Sequence, residues 1–273
     1  MRLKKMLMAA MLAACTIFAG CGGGGDQPAA DAPKGDDASK AIVVGLDDEY
    51  PPMGFKDENN QIVGFDVDLA KEAAKRLGRP VEFKGIDWAS KEAELKSGRV
   101  DILWNGLDIT PERQENMLFS APYMDNRQIV FVRHSDEPST ITAEAGLADL
   151  TVGTQAASTA EDYFAATPEL TGKLKELKTY GDYISAFMDL ENGRLDAIVC
   201  DEIVGRYYMS KHPEKIDALD VTVGPTSQFG IAFRKDDTAL RDEVQEAFDE
   251  MVKDGEAKRI SERWFGADLI KSK

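Results

Sequence analysis

Arg113 stands in the first turn of a helix announced by Thr110-Pro111-Glu112: a Thr N-cap, Pro at the first helical position, then an acid. The helix dipole opposes a cation at that end. An anion bound beside the free N–H groups of the same turn removes the conflict, and a guanidinium can fork onto a carboxylate. Ser158-Thr159-Ala160-Glu161 is a capping box, so it marks a second helix N-terminus able to hold the same anion. Asp201 ends an apolar run and can accept from an amine. An anion pocket beside an amine acceptor is the chemistry that holds an α-amino acid by both charged ends. Singly, each signal has a plainer reading. Arg113 can pair with Glu112 or Glu115 on the surface. Asp201 can cap the helix that starts at Glu202. Tyr50 and Trp88 can be core aromatics. Asp47 can be a turn residue, as Asp48 and Glu49 are expected to be.

What unites these residues is their place after strands. Apolar strands are expected at 41–46, 81–83, 100–104 and 128–133, with helices at 66–77, 89–96 and 110–117. The pattern then restarts, with strands at 151–154, 175–179 and 195–200 and helices at 158–166, 183–191 and from 202. Two βα series imply an α/β chain of two lobes with mainly parallel sheets. Ligands of such sheets bind beyond the carboxyl ends of the strands. Asp47 and Tyr50 follow the first strand. Gly106, Asp108 and Arg113 follow the third. Gln155, Ser158 and Thr159 open the second lobe's site, and Asp201 completes it. Ser97-Gly-Arg-Val-Asp-Ile-Leu103 returns as Asn192-Gly-Arg-Leu-Asp-Ala-Ile198, each a helix end feeding a buried strand, which marks equivalent positions in two similar lobes. A strand at 229–233 and helices at 238–253 and 256–264 return to the first lobe. Lobe 1 is then 41–127 plus 224–273 and lobe 2 is 128–223. Two crossings, near 126–132 and 220–227, make a hinge.

The bulk properties agree. With 273 residues, 43% of them hydrophobic, the chain can bury a real core. A net charge of −16 argues against nucleic acid as a partner. Cys and His have no zinc spacing, so no metal or cofactor is expected; buried Cys200 reads as a small apolar residue. The N-terminus reads as a signal peptide over 1–20: Arg2, Lys4 and Lys5, then the apolar run 6–18, too short to span a bilayer comfortably. Small residues precede both Cys15 and Cys21, and each resembles the lipidated Cys of a bacterial lipoprotein; Cys21 is preferred because it leaves a polar start. Residues 22–40, rich in Gly, Ala, Pro, Asp and Lys, read as a flexible tether.

Taken together, IVVGLDDEYPP at 42–52, VGFDVDL at 63–69, DITPER at 108–113, FSAPY at 119–123 and Tyr207-Tyr208 after Asp201 resemble the polar amino-acid-binding proteins of ABC importers, the bacterial family 3 solute-binding proteins. The resemblance runs from about 41 to 266. It implies a hinged, two-lobed periplasmic-binding-protein fold of type II with two crossover strands. It also implies roles. Arg113 would hold the ligand carboxylate with backbone N–H groups of Asp108 and Thr159. Asp201 would hold the amine with the Gly106 carbonyl. Tyr50 and Trp88 would sandwich the side chain, and Asp47, Gln155, Asn105 and Gln228 would reach toward its tip. Two positions depart from the pattern. Asp108 stands where Ser or Thr is usual, and Ala157 where Gly is usual. Three acids near one pocket lean toward arginine or lysine, although Asp47 and Asp201 also fit binders of neutral amino acids.

The expectation is an extracytoplasmic, lipid-anchored, monomeric receptor that closes on a polar L-amino acid and delivers it to an ABC permease in the membrane, without catalytic residues. The competing reading is an enzyme on the same scaffold, such as a cyclohexadienyl dehydratase. Against it, neither His134 nor His212 follows a strand into the cleft. A peptidoglycan lyase would need a further domain, and a receptor sensor a membrane helix after the fold.

Overall fold

The structure, a computed structural model, describes residues 40–135 and 139–271. The signal peptide, Cys15, Cys21 and the tether before Lys40 lie outside the described residues.

The first series runs β1 (Ile42–Leu46), β2 (Glu49–Tyr50), β3 (Gly54–Lys56), β4 (Ile62–Val63), α1 (Phe65–Leu77), β5 (Val81–Gly85), α2 (Lys91–Lys96), β6 (Ile102–Asp108), α3 (Pro111–Asn116), β7 (Met117–Phe119) and β8 (Met124–Asn126). The second runs β9 (Gln128–Arg133), β10 (Thr151–Gln155), α4 (Thr159–Ala166), α5 (Pro168–Thr171), β11 (Glu176–Tyr180), α6 (Tyr183–Glu191), β12 (Ala197–Asp201), α7 (Glu202–Lys211) and β13 (Ile216–Thr222). β14 (Ser227–Arg234), α8 (Thr238–Asp254) and α9 (Glu256–Phe265) close the chain.

Two sheets result. The first has the order β5-β1-β6-β14-β7 with β8 also on β14, and the second β11-β10-β12-β9-β13. In each, three strands are parallel, and the strands that carry the chain in and out run antiparallel. The sheets are therefore mixed, where the βα alternation suggested mainly parallel ones. The alternation could not show that β9 and β14 each pair antiparallel with the central strand of their sheet. β2, β3 and β4 form a small separate sheet, too short to show a period in the sequence.

α1 illustrates how the elements seat themselves. Phe65, Val67, Leu69, Ala70, Ala73 and Ala74 are buried, Asp66 and Asp68 occupy its first turn and Lys75 and Arg76 its last, so the charges follow the dipole. α8 and α9 continue the same core through Val244, Ala247, Phe248, Met251 and Ile260.

The repeated Gly-Arg-x-Asp segments occupy matching places. Asp101 Oδ2 accepts from Val43 N at 3.0 Å, and Asp196 Oδ2 from Thr151 N at 2.8 Å. Arg99 Nε donates to Glu94 at 2.8 Å, and Arg194 Nε to Asp189 at 2.7 Å. Gly45 lies beside Leu103 on β6 and Gly153 beside Ile198 on β12. A Cβ would come within 3.0 Å of Val100 at Gly45 and within 2.4 Å of Leu195 at Gly153, so both strands need glycine to let the following apolar residue pack.

The chain passes between sheets at two places. β8 ends at Asn126 on the first sheet and β9 begins at Gln128 on the second; β13 ends at Thr222 and β14 starts at Ser227. Arg127, between β8 and β9, pairs with Glu202 and Asp220.

Candidate functional site

Strand ends from both sheets converge on one small cavity of about 10 Å³, lined by Tyr50, Trp88, Gly106, Asp108, Arg113, Gln155, Ser158, Thr159 and Asp201. That is about the room of one water, so anything larger must move side chains that now hold one another across the cleft.

Thr110 Oγ1 caps α3 by accepting from Arg113 N at 3.2 Å, and the turn aims the guanidinium at the second lobe. Arg113 is 5% exposed. Nη1 donates to the Asp108 carbonyl and to Thr159 Oγ1, both at 3.2 Å, and Nη2 to Asp162 at 3.1 Å and the Ala157 carbonyl at 3.4 Å. Its ion pair is thus with Asp162 of α4, not with an acid of its own helix. Ser158 Oγ caps α4 by accepting from Glu161 N at 3.2 Å, while Glu161 reaches back to Ala157 N at 2.6 Å. Ala157 has φ 54°, in the left-handed region. The backbone therefore explains why Gly is usual there.

Asp201 ends β12. Its Oδ2 accepts from Tyr50 Oη at 2.5 Å and its Oδ1 from Asn126 at 2.5 Å and Gln128 at 2.6 Å. It makes no side-chain cap to α7. Asp108 accepts from Thr159 and Ser227, both at 2.6 Å, and from Asn126 at 3.0 Å. One Asn126 amide thus stands between the two carboxylates. Burial pushes Asp201 up to about 6, helped by the charge of Asp108 and opposed by its hydrogen bonds. Burial also raises Asp108 against its three donors and Arg113.

Asp47, Asn105 and Gln228 do not line the cavity. Asp47 is buried directly behind it; Gln155 Nε2 donates to it at 2.6 Å, Glu49 N at 2.9 Å, and burial raises its carboxyl to about 6. Asn105 accepts from Asp47 N at 3.0 Å. Gln228 faces away and donates to Asp125 at 2.8 Å. Along β14 neighbouring side chains take opposite faces, and it is Ser227 that reaches the site. Ser227, Asn126 and Gln128 come from the crossings, where spacing along the chain carries no signal.

Lys91 is a further residue that spacing did not single out. It is buried, its Nζ stands 5.1 Å from the centre of the Trp88 ring, and it donates to the Ala157 carbonyl at 2.9 Å. Burial and the Arg113 charge lower it to about 8. The Trp88 that it covers sits in a short 3-10 turn capped by Asp87, whose carboxylate accepts from Ala89 N at 2.9 Å.

His134 pairs with Asp217, and His212 pairs with Glu191, both outside this cavity. Among the described residues no cluster of His, Cys, Asp and Glu fits a metal ion, and no helix is long and apolar enough to cross a membrane.

Residues 42–267 match the family described as bacterial extracellular solute-binding proteins, family 3. ABC transporter arginine-binding protein 1 of Escherichia coli (strain K12) is 30% identical over 268 residues, 96% of this chain and 99% of the relative. A solved ABC uptake transporter substrate-binding protein from Streptococcus pneumoniae, with bound histidine, superposes with a TM-score of 0.80 at 34% identity, covering 85% of this chain and 95% of that one. An ancestral amino-acid-binding protein that is a precursor of cyclohexadienyl dehydratase superposes at 0.75 with 35% identity, over 82% and 95% of the two chains. The chain belongs to the family 3 extracellular solute-binding proteins, has their two-lobed α/β fold, and accordingly works outside the cytoplasm.

Proposed function

We propose that the protein is the substrate-binding component of an amino-acid ABC importer. It takes a polar L-amino acid between its lobes and presents the closed form to a membrane permease, without making or breaking a bond. One observation carries this reading: the buried Arg113 guanidinium and the buried Asp201 carboxylate line the same cavity, one from each lobe. An α-carboxylate would replace Asp162 as the partner of Arg113, with N–H groups at the start of α4. An α-ammonium would replace the Tyr50 hydroxyl on Asp201, beside the Gly106 carbonyl. Tyr50 and Trp88 would then flank the side chain. Each half-site is in a different lobe, so an amino acid favours closure by bridging them. The acids Asp47, Asp108 and Asp201 favour arginine or lysine over neutral ligands.

Cys21 is the proposed lipid anchor after removal of residues 1–20, with a monomeric receptor on the outer side of the membrane. The lobes are proposed to divide at 127–128 and 223–224. A dehydratase reading draws on the ancestral precursor among the similar structures; the surface placement of both histidines supports the binding reading instead.

Thermal shift against the twenty amino acids, cystine and ornithine tests the proposal. A rise in Tm with arginine or lysine is expected. A shift for other amino acids alone would remove the cationic preference, no shift at all would remove the function, and turnover of prephenate or arogenate would replace it with the enzyme.

A further inference from the structure

Behind the cavity lies a polar cluster that this function leaves unused. The pairing of β14 with β6 slips between Gly230 and Ala232, and the Gly106 N–H donates to Asp66 Oδ2 at 2.7 Å. The Tyr123 hydroxyl donates to the same oxygen at 2.9 Å. Asp66 belongs to the first turn of α1 and is 0% exposed. Its Oδ1 has no hydrogen-bond partner, and neither has Trp104 Nε1. An acid so placed is costly for the fold, because a buried carboxylate with an unmatched oxygen loses more hydration than it regains. Stability alone does not account for it. Gly106, which it anchors, has φ 57° and lines the cavity, so the next carbonyl faces where this left-handed turn sends it.

We propose that Asp66 is a positioning residue for the ligand's α-ammonium: by holding the Gly106 N–H it sets the direction of the Gly106 carbonyl, and its buried charge adds to the field that draws a cation into the cavity. The inference rests on the amino-acid-binding reading. In that reading Asp201 touches the ammonium from the second lobe, and Asp66 acts on it from the first, through Gly106.

Charge and shape can be separated. Asp66→Asn keeps the size and removes the charge. The twenty L-amino acids and cystine are screened against the wild-type protein by thermal shift, and the strongest binder is then titrated calorimetrically beside its analogue lacking the α-amine. Asp66→Asn is expected to weaken the amino acid by about tenfold, the scale of a low-dielectric hydrogen-bond network, and to leave the analogue within about twofold. Equal losses for both, or no loss for either, overturn the proposal. If wild type binds no amino acid, the binding function falls first and this inference with it.

A second readout keeps the test alive should Asp66→Asn not fold. Burial pushes Asp66 up to about 7, against its hydrogen bonds from the Tyr123 hydroxyl and the Gly106 N–H. Around it, Tyr123 is the titratable contact, with Asp108 beyond Tyr123, while Asp68 of its own helix turns to Trp264 and Arg263. Wild-type affinity for the amino acid should therefore rise as pH passes upward through about 7, as Asp66 ionises, and affinity for the analogue should not. Tyr123→Phe removes a donor to the carboxylate and should move that step to higher pH. A step that does not move, or that the analogue shares, overturns the assignment.

Discussion

β6 and β12 are the same element built twice. Each follows a Gly-Arg-x-Asp turn, each sits at the centre of its sheet, and each ends in an aspartate that faces the cavity, Asp108 and Asp201. They differ where they meet the returning strand. β12 pairs with β9 residue for residue from Ala197 to Asp201, whereas β6 slips against β14. The regular strand delivers a side chain. The slipped one delivers a backbone, because Gly106 leaves the ladder and turns on Asp66. The repeated scaffold fixes where the strands end, and the departures from the repeat supply the chemistry.

The comparison can be broken at several strengths. The largest effect is expected from Arg113→Ala, which removes the buried cation that the second lobe has no counterpart for. Loss of affinity on the order of 100-fold, about 3 kcal/mol, should appear in calorimetric titration with an amino acid. Retained binding would return Arg113 to a structural pair with Asp162.

Gly106→Ala comes next. Alanine at φ 57° is strained, and its Cβ would stand 3.1 Å from Tyr50 Cε1. About tenfold weaker binding is expected, from a conformational cost of about 1–2 kcal/mol. No change would mean that the slipped strand carries no function.

The paired glycines test the scaffold itself. Gly153→Ala places a Cβ 2.4 Å from Leu195 Cδ1 and should cost about 1–3 kcal/mol in chemical denaturation. Gly45→Ala, with its closest contact at 3.0 Å, should cost less. The reverse order would show that the lobes are packed less alike than their turns suggest. At the weak end, Arg99→Ala and Arg194→Ala each break an exposed pair, and both should leave Tm nearly unchanged.

Three of the buried acids give the comparison a pH axis. Asp47 and Asp201 are raised to about 6 and Asp66 to about 7. A raised carboxyl pKa means that the folded form binds the proton more tightly than the unfolded chain. The associated stability is present below the unfolded pKa, about 3.9, and is lost as pH rises through 6 to 7. Tm of the protein without amino acid should thus fall between pH 5 and 7.5. Asp201→Asn should flatten part of that slope. Ligand affinity runs the other way, falling as pH drops through about 6, because a proton on Asp201 displaces the ammonium.

Much of this was legible in the sequence because it is local. The Thr110 cap, the Ser158 cap, the strand-end position of Asp201 and the glycines Gly98 and Gly193 that follow α2 and α6 depend on neighbours within a few residues. Ser227, Asn126 and Gln128 were not legible. They reach Asp108 and Asp201 from up to 119 residues away, and only the crossing of the chain brings them there. Gln228 shows the cost of a single step along a strand, which exchanges the two faces. Lys91 and Asp162 sit on helices where a charged residue ordinarily faces water; Lys91 is buried with its Nζ on the Ala157 carbonyl of the opposite lobe, and Asp162 stays exposed and meets Arg113 only across the cleft. β7, β8 and β13 went unread for a related reason: they are short or half-buried strands paired antiparallel to distant partners.

Trp88 gives the cavity an optical consequence. Of the three tryptophans, Trp104 is sealed in the core and Trp264 donates to Asp68 away from the cleft. Trp88 alone lines the cavity, under the Lys91 ammonium. In the proposed opening of the lobes its indole meets water and Lys91, from the same lobe, loses the Ala157 carbonyl that fixes it over the ring, while the other two are expected to emit into unchanged surroundings. On the proposed closure, the emission wavelength of this one ring is expected to follow the opening of the lobes, so that titrating an amino acid should shift it without a label.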